Sequence, residues 1–107
     1  MIEFSVLVLL SEDFRKTCMG YNATAPYREA IRFKVQATDE KHAAEVAFAI
    51  CNSSVEFGPE MHCHPSYMDI VREYREAKNR SLSVGDAVEV DGTRYACEAM
   101  GWDEVGS

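Results

Sequence analysis

The densest group of potential metal ligands in the sequence is the segment Glu60–His64, which reads Glu-Met-His-Cys-His. In an extended chain, His62 and His64 project to the same side, so both imidazoles could bind one transition-metal ion. The alternative is a surface loop whose histidines are exposed to solvent or cap a helix that begins at Pro65. Structural zinc sites usually combine two separate ligand pairs, and this chain offers one. We therefore expect no metal and no other cofactor.

Nucleophilic catalysis would require a cysteine beside a base, and Cys63 lies between two histidines. Neighbouring residues of an extended chain point apart, so neither imidazole is automatically placed to accept the thiol proton. Cys51 and Cys97 fall on apolar stripes typical of a core, and Cys18 falls in a loop. No C-x-x-C pair is present, which favours reduced and mostly buried thiols. We predict that the protein is not an enzyme, and a metal-dependent or cysteine-dependent enzyme is the least favoured alternative.

The charge pattern favours a protein partner over nucleic acid. The chain has 18 acidic and 11 basic residues and a formal charge of −7. Residues 81–107 contain six acidic residues and one basic residue, Arg94, which predicts an acidic surface. Binding to a phosphate backbone needs clustered lysine and arginine, so we expect no direct nucleic-acid binding. Within the acidic segment we predict that Asp86, Glu89 and Asp91 contact a protein partner.

Three aromatic residues are further candidates for partner contacts. Trp102 follows a glycine in the acidic tail, where it could anchor an interface or fold back over the edge of a sheet. We favour the second role. Tyr21 and Tyr27 lie in a long connection, and the same two roles are open to them.

These residues must be positioned by a small set of strands. The length of 107 residues suits one compact domain, 1–107, with an acidic C-terminal hairpin and tail over 81–107. Alternating apolar residues predict a central strand over 2–10 and a strand with one solvated face over 30–37. Residues 11–29 show no sustained period and predict a long connection between them. No apolar run is long enough to cross a membrane.

Two helices are expected after the second strand. Thr38 or Asp39 can cap a helix that runs to about Cys51. A second helix should begin near Pro65 or Ser66 and end before residue 79. We therefore predict an α+β fold, a small antiparallel sheet of about four strands with two helices packed on one face.

The strongest local signal is a hairpin around Asp91-Gly92, with strands over 87–91 and 93–99. This dipeptide suits both positive-φ positions of a two-residue type I′ turn. Counting outward from the turn pairs Glu89 with Arg94 and Val88 with Tyr95. The salt pair then lies on one face and the apolar pair on the other, so turn geometry and hydrophobic pattern predict the same register.

The C-terminal segment also carries a family resemblance. Residues 80–92, which read R-S-L-S-V-G-D-A-V-E-V-D-G, are followed by Tyr95-Ala96-Cys97 and Gly101-Trp102. This pattern resembles a signature of small uncharacterised proteins from actinobacteria and their phages. It is also similar to the R-S-L-S-V-x-D-V-I run of YodL-like domains in phage and conjugative-element proteins. The resemblance implies a phage or mobile-element accessory domain that binds a host protein, and it implies no catalytic residues.

These observations lead to one favoured function and one alternative. The sequence starts without the basic segment and cleavage site of a signal peptide, so we expect a cytoplasmic protein, in the host cytosol if phage-encoded. The favoured function is a non-enzymatic protein-interaction module. The alternative is an acidic mimic of nucleic acid that inhibits a host DNA-binding protein. The sequence predicts neither the identity of the partner nor the oligomeric state.

Overall fold

In the computed structural model, which describes residues 1–56 and 63–106, five strands form one antiparallel sheet in the order β2-β1-β3-β4-β5. The strands are β1 (Ile2–Ser11), β2 (Tyr27–Ala37), β3 (Ala87–Val90), β4 (Thr93–Glu98) and β5 (Gly101–Gly106). The helices are α1 (Phe14–Thr17), α2 (Glu40–Asn52) and α3 (Met68–Glu76), the last preceded by a 3-10 turn over Pro65–Tyr67. The predicted α+β class is confirmed, with one strand and one short helix, α1, more than expected.

β1 lies between β2 and β3, as its apolar character on both faces predicts. Val6, Val8 and Leu10 belong to the main core beneath the helices. Leu7 and Leu9 point to the opposite face and form a second, smaller apolar cluster with Ala87 of β3. The face that packs on the helices is called the helical face here, and the other is called the open face.

β2 begins three residues earlier than predicted because a bulge interrupts its alternation. Ile31 pairs with Val8 and Glu29 pairs with Leu9, which leaves Ala30 as an extra residue. Such a bulge shifts the side-chain period by one residue. Residues 27–29 therefore do not continue the pattern of 31–37, and the sequence places them in the preceding connection.

Both long helices lie on the helical face, as expected. Asp39 is the N-cap of α2, and its carboxylate accepts a hydrogen bond from the His42 amide at 2.8 Å. The predicted apolar stripe of α2 is buried throughout: Ala43, Val46, Ala47, Ile50 and Cys51. α2 packs on β1, β2 and β3, whereas α3 packs on α2 and β2. None of the helices in the described ranges has the length and apolar character that a membrane span requires.

The predicted hairpin register is confirmed. Val88 pairs with Tyr95 and Glu89 pairs with Arg94. Asp91 and Gly92 have φ angles of 49° and 90°, which are the two positive values that the turn requires.

The segment interpreted as an acidic tail is the edge strand β5, so the expectation of about four strands was one short. Glycines at both ends and two consecutive acids give residues 101–106 a low strand propensity. The strand forms because the preceding strand pairs with it and because its Trp102 packs into the core. Tertiary packing here overrides local preference.

Candidate interaction surface

Three segments distant in sequence meet at one end of the sheet. They are the β1–β2 connection, the segment before β3 and the β4–β5 turn. The Gly85 amide donates to the Cys97 carbonyl at 3.1 Å, which joins the second segment to β4. A Cβ atom on Gly85 would lie 2.3 Å from the Thr17 carbonyl oxygen, and one on Gly20 would lie 3.3 Å from Glu98 Oε2. The β1–β2 connection is therefore packed closely against both other segments.

Large apolar side chains stand exposed on these three segments. The exposed fractions are 79% for Phe14, 92% for Met19, 39% for Val84 and 97% for Met100. We call these four residues the sheet-end patch. Large apolar side chains exposed on neighbouring segments of a folded domain are typical of a surface that binds another molecule.

A buried carboxylate holds the segments beneath this patch. Asp86 is 1% exposed, and its two oxygens accept bonds from the Arg80 guanidinium at 2.6 and 2.7 Å. The same carboxylate accepts from the amides of Ser11 at 2.8 Å and Ser83 at 2.9 Å. Arg80 also donates to the Ser11 carbonyl at 3.1 Å. This Arg80–Asp86 clasp fixes the end of β1 to the segment that leads into β3.

The neighbouring residues of the segment are also held by the fold. Leu82 is buried, and the Tyr74 hydroxyl of α3 donates to the Arg80 carbonyl at 2.5 Å. The Tyr27 hydroxyl donates to the Gly85 carbonyl at 2.5 Å. The R-S-L-S-V-G-D run thus supports the sheet-end patch through structural contacts made by its arginine, leucine, glycine and aspartate.

The β1–β2 connection also covers part of the open face. Tyr21 and Tyr27 stack with ring centroids 5.4 Å apart, and both pack on the small Leu7, Leu9 and Ala87 cluster. Arg94 donates two hydrogen bonds to one Glu89 carboxylate oxygen, at 2.7 and 3.0 Å. It donates a third, at 3.3 Å, to the Tyr21 hydroxyl. The stacked tyrosines are therefore anchored to the β3–β4 hairpin.

The rest of the open face carries a cleft of about 390 Å³. Leu7 is buried at this face, and charged side chains of both signs line the cleft around it. The lining includes Ser5, Arg32, Lys34, Glu89 and Asp91. Because opposite charges are mixed there, the cleft lacks the single-sign field that concentrates a charged small ligand.

The structure separates the six predicted partner contacts into two groups. Tyr21, Tyr27, Glu89 and Asp91 come together on or beside the open face. Two other residues lie inside the protein. Asp86 belongs to the clasp, and Trp102 is 8% exposed and packs edge-on against Phe48 of α2, with ring centroids 6.3 Å apart. The favoured core-covering role of Trp102 is therefore the one observed.

The acidic surface expected over 81–107 is smaller than the sequence count implies. Asp86 is buried in the clasp, and Glu89 is paired with Arg94 at 2.7 Å. The exposed acids of this segment are Asp91, Asp103 and Glu104. The nucleic-acid mimic stays a prediction, with fewer free carboxylates than the sequence offered.

The weak candidate metal site falls partly outside the described residues, since His62 lies there. His64 is the N-cap of the 3-10 turn, where its Nδ1 accepts from the Ser66 amide at 3.1 Å. Cys63 is buried, and its thiol lies 3.7 Å from the His64 carbonyl oxygen. Within residues 1–56 and 63–106, no three histidine, cysteine or carboxylate side chains are grouped as metal ligands.

We expect one rapidly reacting thiol per native chain, that of Cys18. Cys18 is exposed, whereas Cys51, Cys63 and Cys97 are buried. Burial raises the pKa of Cys51 to about 12 and that of Cys97 to about 11, so both stay protonated near pH 8. Titration of the native protein with a chromogenic disulfide should show one rapidly reacting thiol. That thiol should be absent in Cys18→Ser, and the native sequence should show four reactive thiols in denaturant. A second fast equivalent in the native protein would contradict this burial.

Sequence reasoning missed the residues of the sheet-end patch. Phe14 and Met19 lie in a connection without periodicity, and Met100 lies in a turn. An apolar residue in a loop is a weak signal by itself, because single exposed hydrophobics are common. The grouping exists only in three dimensions, after the sheet has brought its loops to one end.

No protein-family model, curated protein or solved structure matches the chain. Its function is therefore inferred from its own residues, and the resemblance of residues 80–92 stays a prediction.

Proposed function

We propose that the chain is a non-enzymatic protein-interaction module that binds its partner through the sheet-end patch. The observation that carries this proposal is the exposure of Phe14, Met19 and Met100 on the strand connections at one end of the sheet. Aromatic residues and methionine are enriched at protein interfaces, and methionine adapts its shape to varied partners. These side chains can bury apolar area but can neither transfer protons nor attack a substrate.

The supporting contacts favour binding with little entropic loss. The Arg80–Asp86 clasp and the close approach of Gly85 to Thr17 hold the loops in one arrangement before a partner arrives. A preordered surface loses less conformational entropy on binding than a flexible loop does. The resemblance of residues 80–92 extends the proposal to an accessory protein of phage or mobile-element type that binds a host protein in the cytosol.

We expect the triple variant Phe14→Ser, Met19→Ser, Met100→Ser to lose its partner while remaining folded. Removing central apolar contacts costs about 2 kcal/mol or more, about a 30-fold loss of affinity. Exposed side chains contribute little to folding, so the free energy of unfolding should change by less than about 0.5 kcal/mol. The measurement is affinity capture from an actinobacterial lysate, followed by titration of the captured protein.

The matched control replaces three exposed apolar residues elsewhere, Ile2, Val55 and Val105, with serine. It should retain the partner as well as the native chain does. Equal retention by the patch variant, or no protein enriched by the native chain, would overturn the proposal.

A further inference from the structure

The outer edge of β2 has backbone groups that point away from the sheet. Ser5 of β1 directs both of its backbone groups to Asp91: its amide donates to Oδ1 at 2.8 Å, and its carbonyl accepts from the Asp91 amide at 2.9 Å. Ser5 is paired with Lys34. The backbone groups of Ser5 point to β3, so Ser5 and Lys34 form a pair that is not hydrogen-bonded. The amide and carbonyl of Lys34 therefore point away from β1, to the outer side of β2.

The same alternation applies along β2. Arg32 lies opposite Leu7, two residues from the Ser5 pair, and therefore also faces outward. Gln36, two residues after Lys34, also points its backbone groups outward, and its amide donates to the Tyr67 hydroxyl at 3.0 Å. Tyr67 thus covers the edge at Gln36, and in the described ranges no group pairs with the outward amides of Arg32 and Lys34. As far as residues 1–56 and 63–106 are concerned, the edge of β2 is therefore open at Arg32 and Lys34.

This open edge is basic in an acidic protein. Arg28, Arg32 and Lys34 lie on β2, whereas the chain as a whole has a formal charge of −7. Among the described residues, Arg32 and Lys34 make only exposed ion pairs, at 3.5 Å with Glu29 and at 3.7 Å with Glu3. Exposed pairs of this kind contribute little, so both cations can exchange to a new carboxylate.

The charges on β2 select what can pair with it. Two copies joined through their β2 edges would bring like charges together across the new ladder, which is unfavourable. An extended segment with carboxylates on alternate residues would instead place acids beside Arg32 and Lys34 while its backbone bonds to their outward groups.

We propose that β2 accepts an extended, acidic segment of a partner protein as a sixth strand. This inference deepens the proposed function, on which it rests, by naming a second contact and the chemistry of the segment. The contact does not involve the sheet-end patch, so the two surfaces can be tested separately.

The test uses a fluorescent, capped peptide in which glutamate alternates with valine, measured by anisotropy at low ionic strength. Control peptides replace glutamate with lysine, or valine with proline, which removes strand hydrogen-bond donors. The native chain should bind the glutamate–valine peptide at least about tenfold more tightly than either control. The double variant Arg32→Glu, Lys34→Glu should weaken that binding at least about tenfold and prefer the lysine peptide.

A matched variant, Lys41→Glu with Arg72→Glu, makes the same change in net charge on exposed helix positions. It should bind the acidic peptide within about twofold of the native chain, because its substitutions lie on α2 and α3 and not on β2. Amide hydrogen exchange distinguishes strand pairing from attraction between charges, because only pairing protects the outward amides of β2. The amides of Arg32 and Lys34 should exchange at least about tenfold more slowly when the peptide is saturating.

No binding of the acidic peptide, equal weakening in both double variants, or binding without slowed exchange at Arg32 and Lys34 would overturn the edge inference. If one of these results is obtained but capture of the partner still depends on the sheet-end patch, the proposed function stands without the edge inference. Capture that does not depend on the patch, together with peptide binding as expected, removes the patch from the proposed function and keeps the edge.

Discussion

Asp86→Ala is expected to lower the free energy of unfolding by about 3 to 5 kcal/mol. The substitution removes the buried acceptor of the Arg80 guanidinium and leaves the amides of Ser11 and Ser83 without their partner. Each of the two amides loses a charged acceptor at a cost of about 1 to 3 kcal/mol, whereas the Arg80 side chain, which is 47% exposed, regains part of its hydration. Urea unfolding can be followed by the fluorescence of Trp102, the one tryptophan, which is buried.

Glu3→Ala is the matched control, because Glu3 pairs with Lys34 at 3.7 Å while more than half exposed. It should change stability by less than about 0.5 kcal/mol. Asp86→Asn should be intermediate, because an amide keeps one acceptor oxygen and loses the charge. A loss below about 1 kcal/mol in Asp86→Ala would show that the clasp contributes little to the fold.

Gly85→Ala is expected to lower the free energy of unfolding by about 3 kcal/mol. Gly85 has a φ of 96°, which disfavours any side chain, and the new Cβ would lie 2.3 Å from the Thr17 carbonyl oxygen. The backbone of α1 would have to move to relieve this overlap. Chemical denaturation measures the cost, and amide chemical shifts around Thr17 should report the displacement.

Gly92→Ala separates the cost of the backbone conformation from the cost of the steric overlap. Gly92 has a φ of 90°, close to that of Gly85, but a Cβ there would meet nothing within 4 Å. Its substitution should therefore cost about 1 kcal/mol, from backbone conformation alone. Equal costs at the two positions would contradict the close packing of Gly85 against α1.

Local signals predicted the parts of the fold that local chemistry determines. The hairpin register followed from Asp91-Gly92 and from the pairs it generates, since turn type and side-chain period agree. The start of α2 depended on Asp39, whose carboxylate caps the helix as its residue type suggests. Both features involve residues a few positions apart.

The remaining features of the fold depend on contacts that are distant in sequence. The bulge at Ala30 is set by pairing with β1, and β5 is stabilised by pairing with β4 and by burial of Trp102. Neither partner can be deduced from the composition of the segment itself. Strand propensity is therefore a weak guide at both sheet edges.

The six predicted partner contacts lie outside the proposed binding surface for the same reason. Asp86 was counted with the acidic surface because its type is usually exposed, whereas the fold buries it against Arg80 and Ser11. Four of the predicted contacts do lie on or beside one face, because the β1–β2 connection carries its two tyrosines onto the hairpin. The sheet-end patch could not be predicted, since it combines loops separated by most of the chain.

The most direct test of the proposed binding surface is photo-crosslinking in the lysate from a benzoylphenylalanine placed at one position at a time. The positions are Met19 and Met100 in the sheet-end patch, with Ile2, which is 59% exposed at the other end of β1, as the comparison. We predict that one and the same protein is crosslinked from the first two positions and not from the third. Crosslinking of that protein from Ile2 in equal yield, or no crosslinked protein from Met19 and Met100, would contradict the proposed surface.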